Sequence, residues 1–188
     1  MNPQAPLAGL RVIESSILGP AAITTSFVDL GAEVIKVESP SGDYIREMTW
    51  PIVEGISLMH YHLNRGKKSI TLDLKQEEAR QIYRDLVKDA DVVIEASKPG
   101  ALAKYGLGYE DLKKINPKIV FITVSGYGMS GPYRDMPSHG IAYDTWAGAV
   151  TPAYDDEGFC YIPEHVSIGI NAAPLFGGLA ALAGVIRA

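Results

Sequence analysis

Short β-branched runs alternate with helically spaced apolar positions from Gly9 onward. Leu10-Arg11-Val12-Ile13-Glu14 reads as a first strand, Pro20 to Leu30 as the helix after it, and Glu33-Val34-Ile35-Lys36-Val37 as a second strand, with Gly31 closing the helix. Ser69 to Asp73 predicts a third strand. From Gln76 to Ala90, residues Ala79, Ile82, Tyr83, Leu86 and Val87 share one helical face, which is expected to lie on the sheet. Val92 to Glu95 and Ile119 to Ser125 predict two more strands, with a short helix from Tyr109 to Ile115 between them. The alternation predicts an α/β domain with a largely parallel sheet. The order of the strands in space does not follow from the pattern.

Two segments break the rhythm. Ser39 to Gly55 is polar, irregular and bears Pro and Gly; it is too long for a tight crossover and is expected to wrap over a surface or edge. Ala172 to Ala188 is apolar on every face, with Arg187 its only charge, so a helix there is expected to be buried all round. Its many small residues favour a packed helix over a membrane span. No further element follows to cover it, which leaves the expectation of a truncated chain or of a partner chain.

Composition narrows the class. Of 188 residues 47% are apolar, and 17 Lys+Arg against 22 Asp+Glu give a net charge of −5, which excludes an intrinsically disordered chain and a general nucleic-acid surface. Any anionic ligand must be held locally. The single cysteine, Cys160, makes no internal disulfide or cysteine-based metal site and points to a reducing cytoplasm. Met1 to Pro6 has no signal-peptide pattern.

Simple active-site patterns are weak. His60 and His62, two apart, would share a face in a strand and could ligate a metal, but no third ligand is spaced to join them, so no metal site is expected. His139 and His165 are isolated, and Cys160 has no flanking cations to activate it and reads as buried or inert. Neither the dinucleotide glycine fingerprint after the first strand nor a Walker sequence is present. Arg65, Lys67, Lys68, Lys75, Lys98 and Lys104 cluster around the third and fourth strands and could form a rim for a polyphosphate-bearing ligand, or be ordinary solvated charges. The turn Gly126-Tyr127-Gly128-Met129-Ser130-Gly131-Pro132 follows the fifth strand, at the kind of strand end where open α/β sheets bind ligands.

A set of ordered blocks carries a more specific signal. Pro6 to Glu14, Leu18-Gly19-Pro20, Asp29 to Glu38, Gly42-Asp43, Asn64 to Ile70 with Leu72-Asp73-Leu74-Lys75, Ala90 to Glu95, Pro99-Gly100, Gly106-Leu107, Asn116-Pro117 and Ser125 to Tyr133 resemble the family III CoA-transferases, the CaiB/BaiF group, in order and spacing. The resemblance spans essentially the whole chain but only the N-terminal half of a family member. It implies a Rossmann-like, mostly parallel sheet flanked by helices, with residues 1–188 forming the N-terminal part of an incomplete large domain that lacks the small domain and the C-terminal return. It also implies an interlocked homo- or heterodimer with a homologous chain, without nucleic acid or membrane.

Coenzyme A or acyl-CoA is then the substrate, with no tightly bound cofactor, and a carboxylic acid is the acceptor. The family's CoA contacts carry over onto Ile17, Leu18, Leu72, Lys75, Ala96, Ser97, Ala101, Lys104 and Tyr105, with Lys75 and Lys104 facing phosphate charge. Ser39 and Ser97 stand where relatives have an arginine and an aromatic, which implies weaker nucleotide affinity. The nucleophilic aspartate that forms the acyl anhydride is absent from Val166 to Pro174; an ungapped match puts Gly169 or Ile170 in its place. Asn171 is no usable nucleophile, and Ser167 or Glu164 would serve only in a shifted register. The expected function is a transferase subunit without its own nucleophile, of the kind that moves CoA between succinyl-CoA and benzylsuccinate beside a catalytic chain. The alternatives are an α-methylacyl-CoA racemase-like enzyme, for which His139 is present but its acidic partner is not, and a non-catalytic acyl-CoA binding protein.

Overall fold

A computed structural model describes residues 5–137, 139–164 and 167–188; His165, Val166 and most of the N-terminal segment scanned for a signal peptide lie outside the described residues. In chain order the elements are β1 (Arg11–Ser15), α1 (Ala21–Asp29), β2 (Glu33–Glu38), β3 (Pro51–Val53), β4 (Ile56–Ser57), α2 (Leu58–Asn64), β5 (Lys68–Thr71), α3 (Glu77–Lys88), β6 (Val92–Glu95), α4 (Tyr109–Ile115), β7 (Val120–Thr123), α5 (Gly140–Trp146), β8 (Ala153–Tyr154), β9 (Cys160–Tyr161) and α6 (Ile168–Arg187). The main sheet runs β5-β2-β1-β6-β7 with every pair parallel. Order builds outward from β1 in one direction and from β6 in the other. The crevice between them, where Ser15 pairs with Glu95, is the switch point at which such sheets take ligands.

Alternation along the strands divides the core into two layers. Ile13, Ile35 and Val93 pack with Tyr83, Val87 and Leu112 under α3 and α4, while Val12, Val34, Val92 and Ile94 pack with Ile23, Phe27 and Ala181 under α1 and α6. The segment Ser39 to Gly55 does run over the surface, as a 3₁₀ turn at Tyr44–Arg46 leading into the β3–β4 hairpin.

Three expectations are corrected. His60 and His62 lie on α2, where residues two apart point to different faces, and Nδ1 of His60 is 3.1 Å from the Asn64 amide. Cys160 is exposed on β9. The last helix is not buried all round: Leu175, Phe176, Leu179 and Ile186 are 66–87% exposed, and Pro174 and Ala181 are its buried residues. The face that packs is made of small residues. A methyl added at Gly177 would stand 2.5 Å from Cδ1 of Ile23, and one at Gly184 2.6 Å from Cγ1 of Val120, so backbone rather than side chains meets α1 and β7. Uniform apolarity conceals which face that is. Among the described residues α6 is the one helix long and apolar enough to cross a membrane.

Candidate functional site

The C-terminal ends of β1, β2, β5 and β6 open into a cavity of about 630 Å³. β1 supplies Ser15, Ser16 and Ile17; β2 supplies Lys36, Glu38 and the loop from Ser39 to Tyr44; β5 supplies Leu72 to Lys75; Ala96, Ser97, Leu102 and Tyr105 follow β6. Of the residues predicted to contact CoA, Ile17, Leu72, Lys75, Ala96, Ser97 and Tyr105 line this space, whereas Leu18, Ala101 and Lys104 do not. Leu18 instead takes a left-handed backbone, φ 53°, beside Gly19. Lys104 is exposed on the 3₁₀ turn that carries Tyr105. Behind Tyr105 the Arg80 guanidinium lies 5.9 Å from the ring centre, so the ring has a cationic backing.

The predicted basic rim does not form as a unit. Lys68 pairs with Glu33 at the start of β2, at the far end of the sheet, and Arg65 pairs with Asp29 at the end of α1. Lys67 turns inward. Its Nζ lies 2.8 Å from Oε2 of Glu14 and donates to the Ala21 carbonyl at 2.8 Å and to Asn64 at 3.2 Å. Lys36 approaches Oε1 of Glu14 and Oδ2 of Asp43 at 3.0 Å each, and donates to the Ser16 carbonyl. The contact with Asp43 is an ion pair without a well-directed hydrogen bond, since that oxygen has no hydrogen-bond partner. Ser16 and Thr24 also donate to Glu14, so its carboxylate is fully engaged.

Two buried cations thus face two buried carboxylates beneath the cavity, and Lys75 is the lining cation outside that network. Burial pushes Lys67 down to about 8 despite Glu14. Burial also opposes the charge on Lys36, but Glu14 and Asp43 outweigh it and raise its pKa. At the end of β2, burial of Glu38 is overcome by a two-pronged Arg46 pair and by Ser69, which hold it at about 2. Of these groups the sequence singled out Lys67 alone, as part of the basic rim, and the structure turns it inward instead. Glu14, Lys36 and Asp43 stood out only as members of ordered blocks.

A second polar centre lies at the start of α6. Asp144 of α5, 3% exposed, accepts from the backbone N–H of Ile168 at 3.1 Å and of Gly169 at 2.7 Å, capping the helix in place of its own Ser167. Asn171 folds back to donate to the Ser167 carbonyl. A Cβ at Gly169 would sit 3.0 Å from Oδ1 of Asp144. An aspartate at that position would therefore crowd a carboxylate already in place. Ile170 packs on Gly19, where an added Cβ would come within 2.6 Å of its side chain and 2.9 Å of its carbonyl. That carbonyl has no donor one turn on, because Pro174 lacks an N–H. Next to this turn Tyr127, Tyr133, Tyr143 and Trp146 form a cluster of tilted and edge-to-face rings with centres 5.1–6.4 Å apart. His139 begins α5 and is exposed. No cluster of metal-ligating side chains occurs among the described residues.

The comparisons with known proteins agree with this architecture. The chain is 39% identical over 187 residues to the succinate–glutarate CoA-transferase of Agrobacterium fabrum, covering 95% of this chain and 45% of that protein. It is 42% identical over 161 residues to the probable fatty acyl-CoA transferase Rv3272 of Mycobacterium tuberculosis, covering 84% and 41%. A crystal structure of Rv3272 superposes with a TM-score of 0.88 at 36% identity over 99% of this chain and 52% of that one. A CAIB/BAIF family protein from Brucella suis superposes at 0.84 and 39% identity over 97% and 50%. The chain therefore spans about half the length of the relatives it matches. With the CoA-transferase family III model matching residues 7–188, the chain belongs to CoA-transferase family III.

Proposed function

We propose that this chain is the CoA-holding part of a transferase that moves CoA between an acyl-CoA and a carboxylic acid in the cytoplasm, and that a homologous chain supplies the nucleophilic aspartate. The observation that carries the reading is the cavity at the switch point, walled by Ile17, Leu72, Lys75, Ala96, Ser97 and Tyr105. Lys75 meets phosphate charge there, and the hydroxyls of Ser39 and Ser41, 2.8 Å apart at the lip, add neutral donors. Tyr105, backed by Arg80, offers a ring face for the base.

In the reaction the aspartate attacks the thioester carbonyl, the C–S bond breaks and the CoA thiolate leaves, giving a mixed anhydride. The thiolate then attacks the aspartyl carbonyl and releases the first acid; the acceptor carboxylate takes its place in the reverse sequence. The chain's own share is to hold the nucleotide so that the departing thiolate stays in place. The exposed apolar side of α6 supports a covering chain, because Leu175, Phe176 and Leu179 form a contiguous ridge one turn apart.

Calorimetric titration with CoA tests the binding reading, and mass spectrometry after incubation with succinyl-CoA tests the chemistry. Saturable binding and no covalent adduct on the chain alone are expected, with an adduct on the homologous chain once both are mixed. An adduct on this chain, or no binding, overturns the reading.

A further inference from the structure

Two walls of the switch-point cavity come from different parts of the chain: Ser15, Ser16 and Ile17 at the end of β1, and residues 39–44 after β2. The second wall has little packing of its own. Ser39, Pro40, Ser41 and Tyr44 are exposed, and Gly42 takes a left-handed backbone, φ 74°. Its hydrogen bonds are local: the Asp43 N–H donates to Glu38 at 3.0 Å, the Ile45 N–H donates to Oδ1 of Asp43 at 3.1 Å, and the Ser39 hydroxyl reaches Ser41 and the Gly42 carbonyl. Lys36 crosses to the other wall. Its Nζ lies 3.0 Å from Oδ2 of Asp43 and donates to the Ser16 carbonyl at the end of β1. Lys36 and Asp43 are each 2% exposed, so water screens the contact little. A buried cation that touches both walls is placed as a strut between them.

We propose that Lys36 and Asp43 are positioning residues for the ligand: together they hold loop 39–44 at a fixed distance from the end of β1 and so preset the cavity before CoA enters. The inference rests on the CoA reading of this cavity and adds the device that shapes it. Both residues act through the loop. Apparent affinity is the intrinsic affinity multiplied by the fraction of molecules already in the binding shape, so a wall in place one time in ten binds about tenfold more weakly. Lys67 separates this role from the charge balance of the network. It shares Glu14 with Lys36, but its other bonds go to the Ala21 carbonyl and to Asn64, and it touches neither wall.

The test is calorimetric titration of the full chain with free CoA. Lys36→Met combined with Asp43→Asn removes the strut, leaves Glu14 balanced by Lys67, and keeps an oxygen for the Ile45 N–H. Affinity is expected to fall about tenfold, with the loss in the association rate by stopped flow, which a merely less stable but folded chain would not show. Asp43→Asn alone, the milder change, should weaken binding about threefold. Lys67→Met loses a buried cation without touching the walls and should stay within about twofold of wild type. Circular dichroism checks that each variant is folded. Hydrogen exchange on the wild-type chain needs no variant: the Asp43 and Ile45 amides should be nearly as protected without CoA as with it. Wild-type affinity in the folded double variant, an equal loss in Lys67→Met, a loss wholly in the dissociation rate, or amides that exchange freely until CoA is added overturns the proposal while CoA still binds the wild type. Failure of CoA to bind the wild type overturns the CoA reading and this inference with it.

Discussion

The floor of the large cavity and the first turn of α6 both bury carboxylates, and they satisfy them in opposite ways. Under the cavity, Glu14 and Asp43 face Lys36 and Lys67 side chain to side chain, and the wall above is left open with Lys75 outside the network. At α6, Asp144 is satisfied by backbone N–H groups of Ile168 and Gly169, and the same carboxylate fills the space a side chain at Gly169 would need. A balanced ion network supports a surface on which a ligand can rest. A capped helix end consumes the donors that an incoming anion would use. The molecule thus leaves an open wall above one set of carboxylates and fills the space beside the other.

The sharpest way to break this contrast is to remove Glu14. Both Lys36 and Lys67 are 2% exposed at the side chain and lose their common partner in Glu14→Ala, which should cost about 3–5 kcal/mol of stability as an uncompensated buried charge. Urea unfolding measures it. Glu14→Gln removes the charge but keeps one accepting oxygen, so it should fall between wild type and Glu14→Ala. Equal, small losses in both variants would mean that the network contributes no charge balance.

Next in size is the pH dependence of the same network. Lys67 titrates at about 8 in the folded chain and from 10.5 when unperturbed. Between those values the unfolded chain binds a proton that the native chain does not, so stability rises with pH across that window. The contribution is complete above 10.5 and lost as pH falls through 8. Lys36 has the opposite sign: its raised pKa gives a contribution present below 10.5 and lost only above its folded value, outside the window. Unfolding free energies at pH 7.5 and 9.5 should therefore diverge between wild type and Lys67→Met, by something on the order of 1–3 kcal/mol. Parallel curves would show that Lys67 keeps its proton throughout.

Much of the sheet was legible because each strand's apolar run is bounded by turn residues and joined by a helix of clear period, as in Val92 to Glu95 after α3. The elements that pattern did not reveal are short: α2, α5 and the two hairpins are held by contacts distant in sequence, such as Ser57 with the Ile45 carbonyl and Asp144 with α6. Of the contacts that the resemblance implied, Ile17, Leu72, Lys75, Ala96, Ser97 and Tyr105 meet around the large cavity, whereas Leu18, Ala101 and Lys104 do not line it. The buried ions did not follow, since nothing local marks Lys36 or Lys67 as buried; that depends on Glu14 and Asp43 arriving from separate strand ends. Asp144 was hidden for the same reason. An isolated aspartate in an apolar stretch carries no sign that it faces a helix end some two dozen residues later.

At the α6 end the expected effects are smaller. Asp144→Ala removes the cap from Ile168 and Gly169 and should cost about 1–2 kcal/mol, read from thermal or urea unfolding. Gly169→Asp should be destabilising in the wild-type background, where its Cβ falls 3.0 Å from Asp144, and better tolerated with Asp144→Asn. The double-mutant cycle isolates that coupling. Additive losses would mean that Asp144 does not occupy the place of a side chain at 169.

The smallest effect on stability, and the one that separates binding from architecture, belongs to Lys75. Its side chain has no ion pair among the described residues, and its carbonyl and N–H are engaged by Arg80 and Asp73 through backbone alone. Lys75→Ala should therefore leave unfolding free energy within about 0.5 kcal/mol of wild type, as surface substitutions do. CoA affinity should nevertheless fall about tenfold, the loss of one charge-assisted contact to phosphate, and the loss should shrink as salt is raised. Lys67→Met makes the opposite trade, changing stability while the cavity wall keeps its shape and its free cation. If both lysines moved affinity and stability together, the cavity and the network beneath it would be one cooperative unit, and the separation between a supporting floor and an open binding wall would not hold.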